Sequence, residues 1–164
     1  LLQFHEIHDE GGILRVADLA GEIWREYYPT IISPDQVEYM LAKIQSPEAI
    51  GDQVQNHGLR YFLTLEDDRE AGYLAVIPRG DDLFISKLYL KADCRGKGLS
   101  REMLAFIESQ ARAAGCSRMT LTTHKQNEVA LRAYQGLGFK ILEPVVTDIG
   151  GGYMMDDYRL AKAL

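Results

Sequence analysis

The sequence predicts a mixed α/β fold: one sheet of about seven strands with antiparallel and parallel parts, flanked by about four helices. Three patterns carry this expectation. The runs Tyr61–Leu65, Glu70–Ile77 and Leu83–Leu90 are strand-like and only a few polar residues apart, which suits an antiparallel meander. A helical stripe then separates two strand-like runs, and a crossover of that kind normally joins parallel strands with right-handed sense. Last, Lys140–Val146 and Tyr153–Leu160 flank Gly150-Gly151-Gly152 and can close as a hairpin.

Each element follows from its own pattern. Residues 2–8 read as a first strand. Ile13, Val16, Leu19, Ala20, Ile23 and Trp24 recur at helical spacing, and Pro29 ends that helix. Ser33-Pro34-Asp35 resembles a helix start, and Val37, Met40, Leu41 and Ile44 form its apolar stripe. Pro47–Asn56 is a candidate third, short helix. After the meander, Leu99, Met103, Phe106, Ile107, Ala111 and Ala114 trace another helix, which Gly115 can terminate. Met119, Leu121 and Thr123 alternate as a strand, and Glu128–Leu137 reads as a further helix ending at Gly138. No repeat, low-complexity tract or linker divides the 164 residues, so one domain over 1–164 is expected.

Composition narrows the function classes. Hydrophobic residues make up 46% and charged residues 26%, an ordinary globular mix. No apolar run approaches the roughly 20 residues of a membrane span, so no membrane partner is expected. A net charge of −6 disfavours nucleic acid and mildly favours cationic substrates. Two cysteines, Cys94 and Cys116, make neither a disulfide framework nor a zinc site, and the first residues carry no signal-peptide pattern. A cytoplasmic location is expected. His5, His8, His57 and His124 lack metal-ligand spacing, so no metal is expected.

The chemistry concentrates in Leu88-Tyr89-Leu90-Lys91-Ala92-Asp93-Cys94-Arg95-Gly96-Lys97-Gly98-Leu99-Ser100. A strand enters, a basic glycine turn follows, and a helix begins. The first helical turn leaves about four N–H groups without partners, which makes it an anion site. Gly96 and Gly98 let backbone approach a phosphate, while Arg95, Lys97 and the Ser100 hydroxyl add charge and a donor. The turn fits neither a Walker A loop nor a dinucleotide fingerprint, because Gly96-Lys97 is followed by Gly98 rather than Ser or Thr and position 101 is Arg.

Arg95-Gly96-Lys97-Gly98-Leu99-Ser100 resembles the R/Q-x-x-G-x-G/A signature of the GCN5-related N-acetyltransferases, with Ser100 where the family usually has Gly or Ala. Asn127 through Phe139 resembles the family segment N-x-x-A-x-x-x-Y-x-x-x-G-F at every quoted position. The resemblance implies a sheet with a splayed parallel pair, and acetyl-coenzyme A as cofactor. It implies that the cofactor pyrophosphate rests on Arg95, Gly96, Lys97, Gly98, Leu99 and Ser100. It further implies that the pantetheine arm runs beside the backbone of Leu88 and Leu90, and that Asn127 contacts that arm. By the same resemblance Tyr134 protonates the departing thiolate. The other readings of these residues are a helix N-cap for Asn127 and a core-packed ring for Tyr134.

An alkylammonium has a pKa of about 10.4, so a proton must leave before the amine attacks. Relatives often use a glutamate on the strand before the basic turn, but Leu83–Leu88 holds no carboxylate. Asp156, Asp157, Tyr28 or water are left open as the base. By analogy with the family the acceptor lies between the early helices and the last hairpin, with Tyr27, Tyr28 and Asp156 as candidate contacts. A loose likeness to bacterial polyamine acetyltransferases points the same way. The leading expectation is an N-acetyltransferase acting on a small cationic amine by direct attack in a ternary complex. A peptide or protein N-acetyltransferase and a non-catalytic acyl-CoA sensor are the alternatives, and a homodimer is left open.

Overall fold

The computed structural model describes residues 1–164. In chain order the elements are β1 Leu2–Glu6, α1 Glu10–Tyr27, α2 Pro34–Ile44, α3 Pro47–Asn56, β2 Arg60–Glu66, β3 Arg69–Arg79, β4 Asp82–Leu90, α4 Leu99–Ala113, β5 Arg118–His124, α5 Glu128–Gly136, β6 Lys140–Gly150 and β7 Tyr153–Ala163. Short 3₁₀ turns at Tyr28–Thr30 and Ala92–Cys94 follow α1 and β4. Five α-helices form rather than about four, because Pro47–Asn56 is a complete helix capped by the Ser46 hydroxyl. Pro29 does end α1, by passing into the first 3₁₀ turn.

The seven strands form one sheet in the order β1-β2-β3-β4-β5-β7-β6. All neighbours are antiparallel except β4 and β5, whose parallel pairing covers only Asp82–Ile85 against Arg118–Leu121. β7 inserts between β5 and β6 and pairs with the whole length of β5, from Arg118↔Ala163 to His124↔Asp157. Helices cover both faces. On one, α1, α2 and α3 bury Trp24, Ile23, Met40 and Ile50 against Tyr61, Leu63 and Tyr73 of β2 and β3. On the other, Met103, Leu104 and Ile107 of α4 pack on Leu74, Leu83, Ile85 and Leu121, and Tyr134 and Leu137 of α5 pack beside them. Each large side chain fully buried in this way contributes roughly 1.5–3 kcal/mol.

One irregularity in β4 positions the site. The β3–β4 register runs Ala75↔Lys87 and then Val76↔Ile85, so Ser86 is an extra residue on β4. A bulge of this kind reverses the inward–outward alternation. Leu83 and Ile85 therefore share the α4 face with Leu88 and Leu90, while Tyr89 packs on the α1 face.

Helix starts divide in the same informative way. Asp9, Ser33, Ser46 and Asn127 each accept a backbone N–H at the start of α1, α2, α3 and α5. α4 begins on Gly98 with no side-chain cap.

Candidate active site

Beyond Ile85 and Leu121 the strands β4 and β5 no longer pair, so Ser86–Leu90 leaves one strand edge open. Open backbone donors and acceptors of a strand are strong sites for an extended ligand. A cleft of about 570 Å³ occupies this divergence and runs from the start of α4 past Tyr134 to Met40, Thr147 and Met155. Leu88 and Leu90 line it from β4.

At the α4 end, Arg95, Gly96, Leu99 and Ser100 line the cleft. Gly98 has φ +80, a left-handed conformation that lets the chain turn abruptly into α4. A Cβ built there would meet nothing within 4 Å. Arg95 is less free than its sequence position suggests. Its Nη1 lies 2.8 Å from Glu26 Oε1, its Nη2 donates to the Leu90 carbonyl at 2.9 Å, and its guanidinium stacks 4.9 Å from the Tyr27 ring centre. Arg95 thus fastens the turn to α1 and leaves its charge half-neutralised. Lys97 stands outside the cleft, 3.8 Å from Glu66 and half-exposed.

Four tyrosines and an asparagine occupy the middle. Asn127 is 8% exposed, and its Oδ1 accepts from Ala130 N at 3.3 Å and from the Tyr27 hydroxyl at 2.8 Å. It is therefore the α5 cap and also the tie between α5 and α1, which leaves Nδ2 as the donor available to a ligand. The Tyr28 and Tyr89 hydroxyls share a hydrogen bond of 2.7 Å. Tyr134 lines the cleft seven residues after Asn127, with its ring edge-on to Phe139 at 5.7 Å. Burial, helped by the nearby Tyr28 and Tyr27 hydroxyls, pushes the Tyr134 pKa well above the ordinary phenol value. Its proton is firmly held at neutral pH.

The far end holds the charged groups. Asp156, expected to contact the acceptor, is exposed, points away from the cleft and pairs with Lys125 at 2.9 Å. Asp157 lines the cleft instead. Successive side chains on a strand alternate faces, and the β5–β7 register fixes which face is inward. Asp157 is 8% exposed, and its Oδ1 has no hydrogen-bond partner. Burial raises its pKa above the usual carboxylate value, against the opposing pull of His124 and Lys125. Lys87, which sequence reasoning passed over, also lines the cleft. Its Nζ donates to Ser86 Oγ at 2.7 Å, and burial lowers its pKa to about 8. Nothing local in the sequence marks it, because the Ser86 bulge sets its direction. His124 lines the cleft as well, with Nδ1 accepting from Gln126 N at 3.1 Å. Cys94 is buried and its thiol pKa is raised, first by burial and then by Asp93, which is the reverse of an activated nucleophile. Asp and Glu side chains gather with His or Cys in no group able to hold a metal ion.

A model of the acetyltransferase (GNAT) family matches residues 17–139, which span α1 through Phe139 and include both the glycine turn and the Asn127–Tyr134 segment. The uncharacterised N-acetyltransferase YhdJ of Bacillus subtilis is 31% identical over 127 residues, covering 73% of this chain and 87% of that protein. Among solved structures, the PaiA N-acetyltransferase of Thermoplasma acidophilum in complex with coenzyme A superposes with a TM-score of 0.83 at 20% identity, over 100% of this chain and 99% of that one. A chimera of the spermidine N-acetyltransferase SpeG of Vibrio cholerae with hSSAT superposes with a TM-score of 0.73 at 15% identity, over 99% and 95% of the two chains. With its glycine turn, its divergent β4 and β5 and this span of family match, the chain belongs to the acetyltransferase (GNAT) family and is an N-acetyltransferase whose acetyl donor is acetyl-coenzyme A.

Proposed function

We propose that the chain transfers the acetyl group directly to the primary amine of a small cationic molecule, with both substrates in the cleft together. The observation that carries this reading is the continuity of one cleft from the uncapped start of α4, along the open edge of β4, to the tyrosine cluster. The pyrophosphate rests on the amides and side chains of Arg95 through Ser100, where the helix start carries partial positive charge. The pantetheine arm runs along Leu88 and Leu90, and Asn127 Nδ2 donates to it.

The thioester then lies beside Tyr134. The amine attacks the carbonyl carbon, a β4 backbone N–H stabilises the oxyanion, and the C–S bond breaks. Tyr134 gives its proton to the sulfur. Burial keeps the phenol protonated at neutral pH and also makes it a weak acid, so the proton leaving the attacking nitrogen must replace the one it gives up. Tyr28 borders the acceptor end, while Tyr27 supports it through Asn127 and Arg95. An acceptor that is cationic suits aromatic walls from Tyr28, Trp24 and Phe84, and a net charge of −6 draws it in.

The test is thiol release from acetyl-CoA across a panel of polyamines, amino acids and aminoglycosides, with calorimetry of acetyl-CoA alone. We expect micromolar-range binding of acetyl-CoA and turnover on at least one small amine. Binding without turnover on any of them overturns the small-amine assignment.

A further inference from the structure

The direct transfer just described needs a group to take the ammonium proton, and β4 offers no carboxylate in the cleft: Asp82 pairs with Arg118 at 2.7 Å at the far end of the strand, and Lys87 is still mostly protonated at pH 7. We propose that Asp157 is the proton acceptor of the reaction, receiving the substrate as an ammonium ion and taking its proton before attack. The proposal rests on the amine-transfer reading above. It concerns a residue on β7, beyond the 17–139 span that matches the family.

Three structural observations converge on Asp157. It lines the cleft that holds Tyr134 and Tyr28. It is 92% buried, taking its 8% exposure from unity. Its Oδ1 has no hydrogen-bond partner. A carboxylate in that state is costly, because burial removes water and nothing in the chain replaces it at that oxygen. An arriving ammonium supplies both the missing donor and the missing charge.

The surroundings keep the group usable at neutral pH. His124 lies opposite Asp157 on β5, with Lys125 next to it, and Lys125 is itself paired with the exposed Asp156. Val145 of β6 faces Asp157 from the other side and brings no charge. Just beyond the end of α1, Tyr28 has its pKa raised chiefly by burial, with the nearby Asp157 charge adding to the rise. Desolvation raises the Asp157 pKa while His124 and Lys125 limit the rise. A base with a pKa lifted toward the operating pH is better suited to accept a proton than an ordinary surface carboxylate.

The protons balance. The ammonium gives one to Asp157, and the neutral amine forms the C–N bond as the C–S bond breaks. The nitrogen then sheds a second proton, which makes good the one that Tyr134 delivers to the sulfur. Asp157 returns its proton to solvent after the product leaves, so one proton is released per turnover.

The test compares Asp157→Asn with the wild type on two acceptors: an alkylamine identified in the panel, and a weakly basic amine that is already neutral at pH 7. We expect kcat/KM at pH 7 to fall by about 10²–10⁴-fold for the alkylamine. The loss should shrink as pH rises toward the amine's own pKa, and it should be much smaller for the weakly basic amine. Calorimetry should give unchanged acetyl-CoA affinity. An undiminished kcat/KM for the alkylamine, or an equal loss for both amines at every pH, overturns the proposal.

The wild type alone supplies a second measurement that does not depend on the variant folding. Its kcat/KM for the alkylamine should level off above an acid limb set by one carboxyl group. A steady rise in proportion to hydroxide up to the amine pKa would mean that no base acts, and the proposal fails. A wild-type chain that binds acetyl-CoA but acetylates no amine overturns the underlying reading, whereas turnover indifferent to Asp157 overturns this proposal alone.

Discussion

Tyr134 combines two properties: the residue lines the cleft, and burial holds its hydroxyl proton well past neutral pH. The ring contributes separately, through its edge-on contact with Phe139. Tyr134→Phe therefore removes the proton and keeps the packing. We expect kcat to fall by about 10²-fold, the low end for a general acid, because a thiolate leaves readily. Acetyl-CoA affinity and Tm should barely move. Steady-state kinetics and thermal unfolding check both halves, and full kcat under chemistry-limited conditions would make the tyrosine a packing residue. Asn127 shows the opposite pattern. Its N-cap role leaves room for the proposed ligand role, since Oδ1 serves Ala130 and Tyr27 while Nδ2 is left over. Both readings drawn from the sequence were therefore compatible, and spacing alone had no means of separating them.

At the scale of elements, α4 differs from the other four helices in starting on a left-handed glycine with no side-chain cap. A side chain at Gly98 costs about 1–2 kcal/mol for the left-handed backbone. It meets no atom of the chain within 4 Å, so the fold should survive the change. Gly98→Val should then fill the space that a pyrophosphate needs. We expect acetyl-CoA affinity to drop at least about tenfold, or roughly 1.4 kcal/mol. Calorimetry on the folded variant measures this, and unchanged affinity would remove the glycine turn from the cofactor site. Helix starts of this kind are legible in sequence because strand, turn and helix are contiguous. The fate of Arg95 was not legible: Glu26 and Tyr27 reach it from α1, about 70 residues earlier in the chain, and only packing reveals that this arginine is a fastening as well as a charge.

Across the whole molecule, α2 and the closing hairpin meet beside the far end of the cleft. The Tyr39 hydroxyl donates to the Ile149 carbonyl at 2.8 Å, Gln36 Nε2 donates to the Met154 carbonyl at 3.2 Å, and Tyr39 packs on Tyr153 at 5.0 Å. The glycine tip fits against this helix so closely that a Cβ on Gly151 would lie 2.6 Å from Tyr39. Of the three glycines expected at the hairpin tip, Gly150 and Gly151 are thus held against Tyr39 of α2, whereas a Cβ on Gly152 would meet nothing within 4 Å. Tyr39→Phe deletes one tie and should cost about 0.5–1.5 kcal/mol of stability. We expect KM for the amine to rise several-fold with acetyl-CoA affinity unchanged, because the tie borders the acceptor end and stands away from the glycine turn. Equal effects on both substrates would show that the hairpin contact supports the entire cleft.

The sequence by itself determined what depends on neighbours along the chain. Helical stripes, the helix start at Ser33, the short-looped meander, the strand–turn–helix order around the glycine turn and the seven-residue spacing of Asn127 and Tyr134 all arise within one or two adjacent elements. Tertiary structure decided what depends on register and packing between distant segments. The Ser86 bulge put Lys87 and Tyr89 on the face opposite Leu83 and Ile85, and no local pattern announces a bulge whose cause is pairing with β3. Pairing of β7 with β5 turned Asp157 inward and Asp156 outward. Two adjacent aspartates are equivalent in a sequence, but a strand has two faces, and a shift of one residue exchanges the carboxylate in the cleft for the one in solvent.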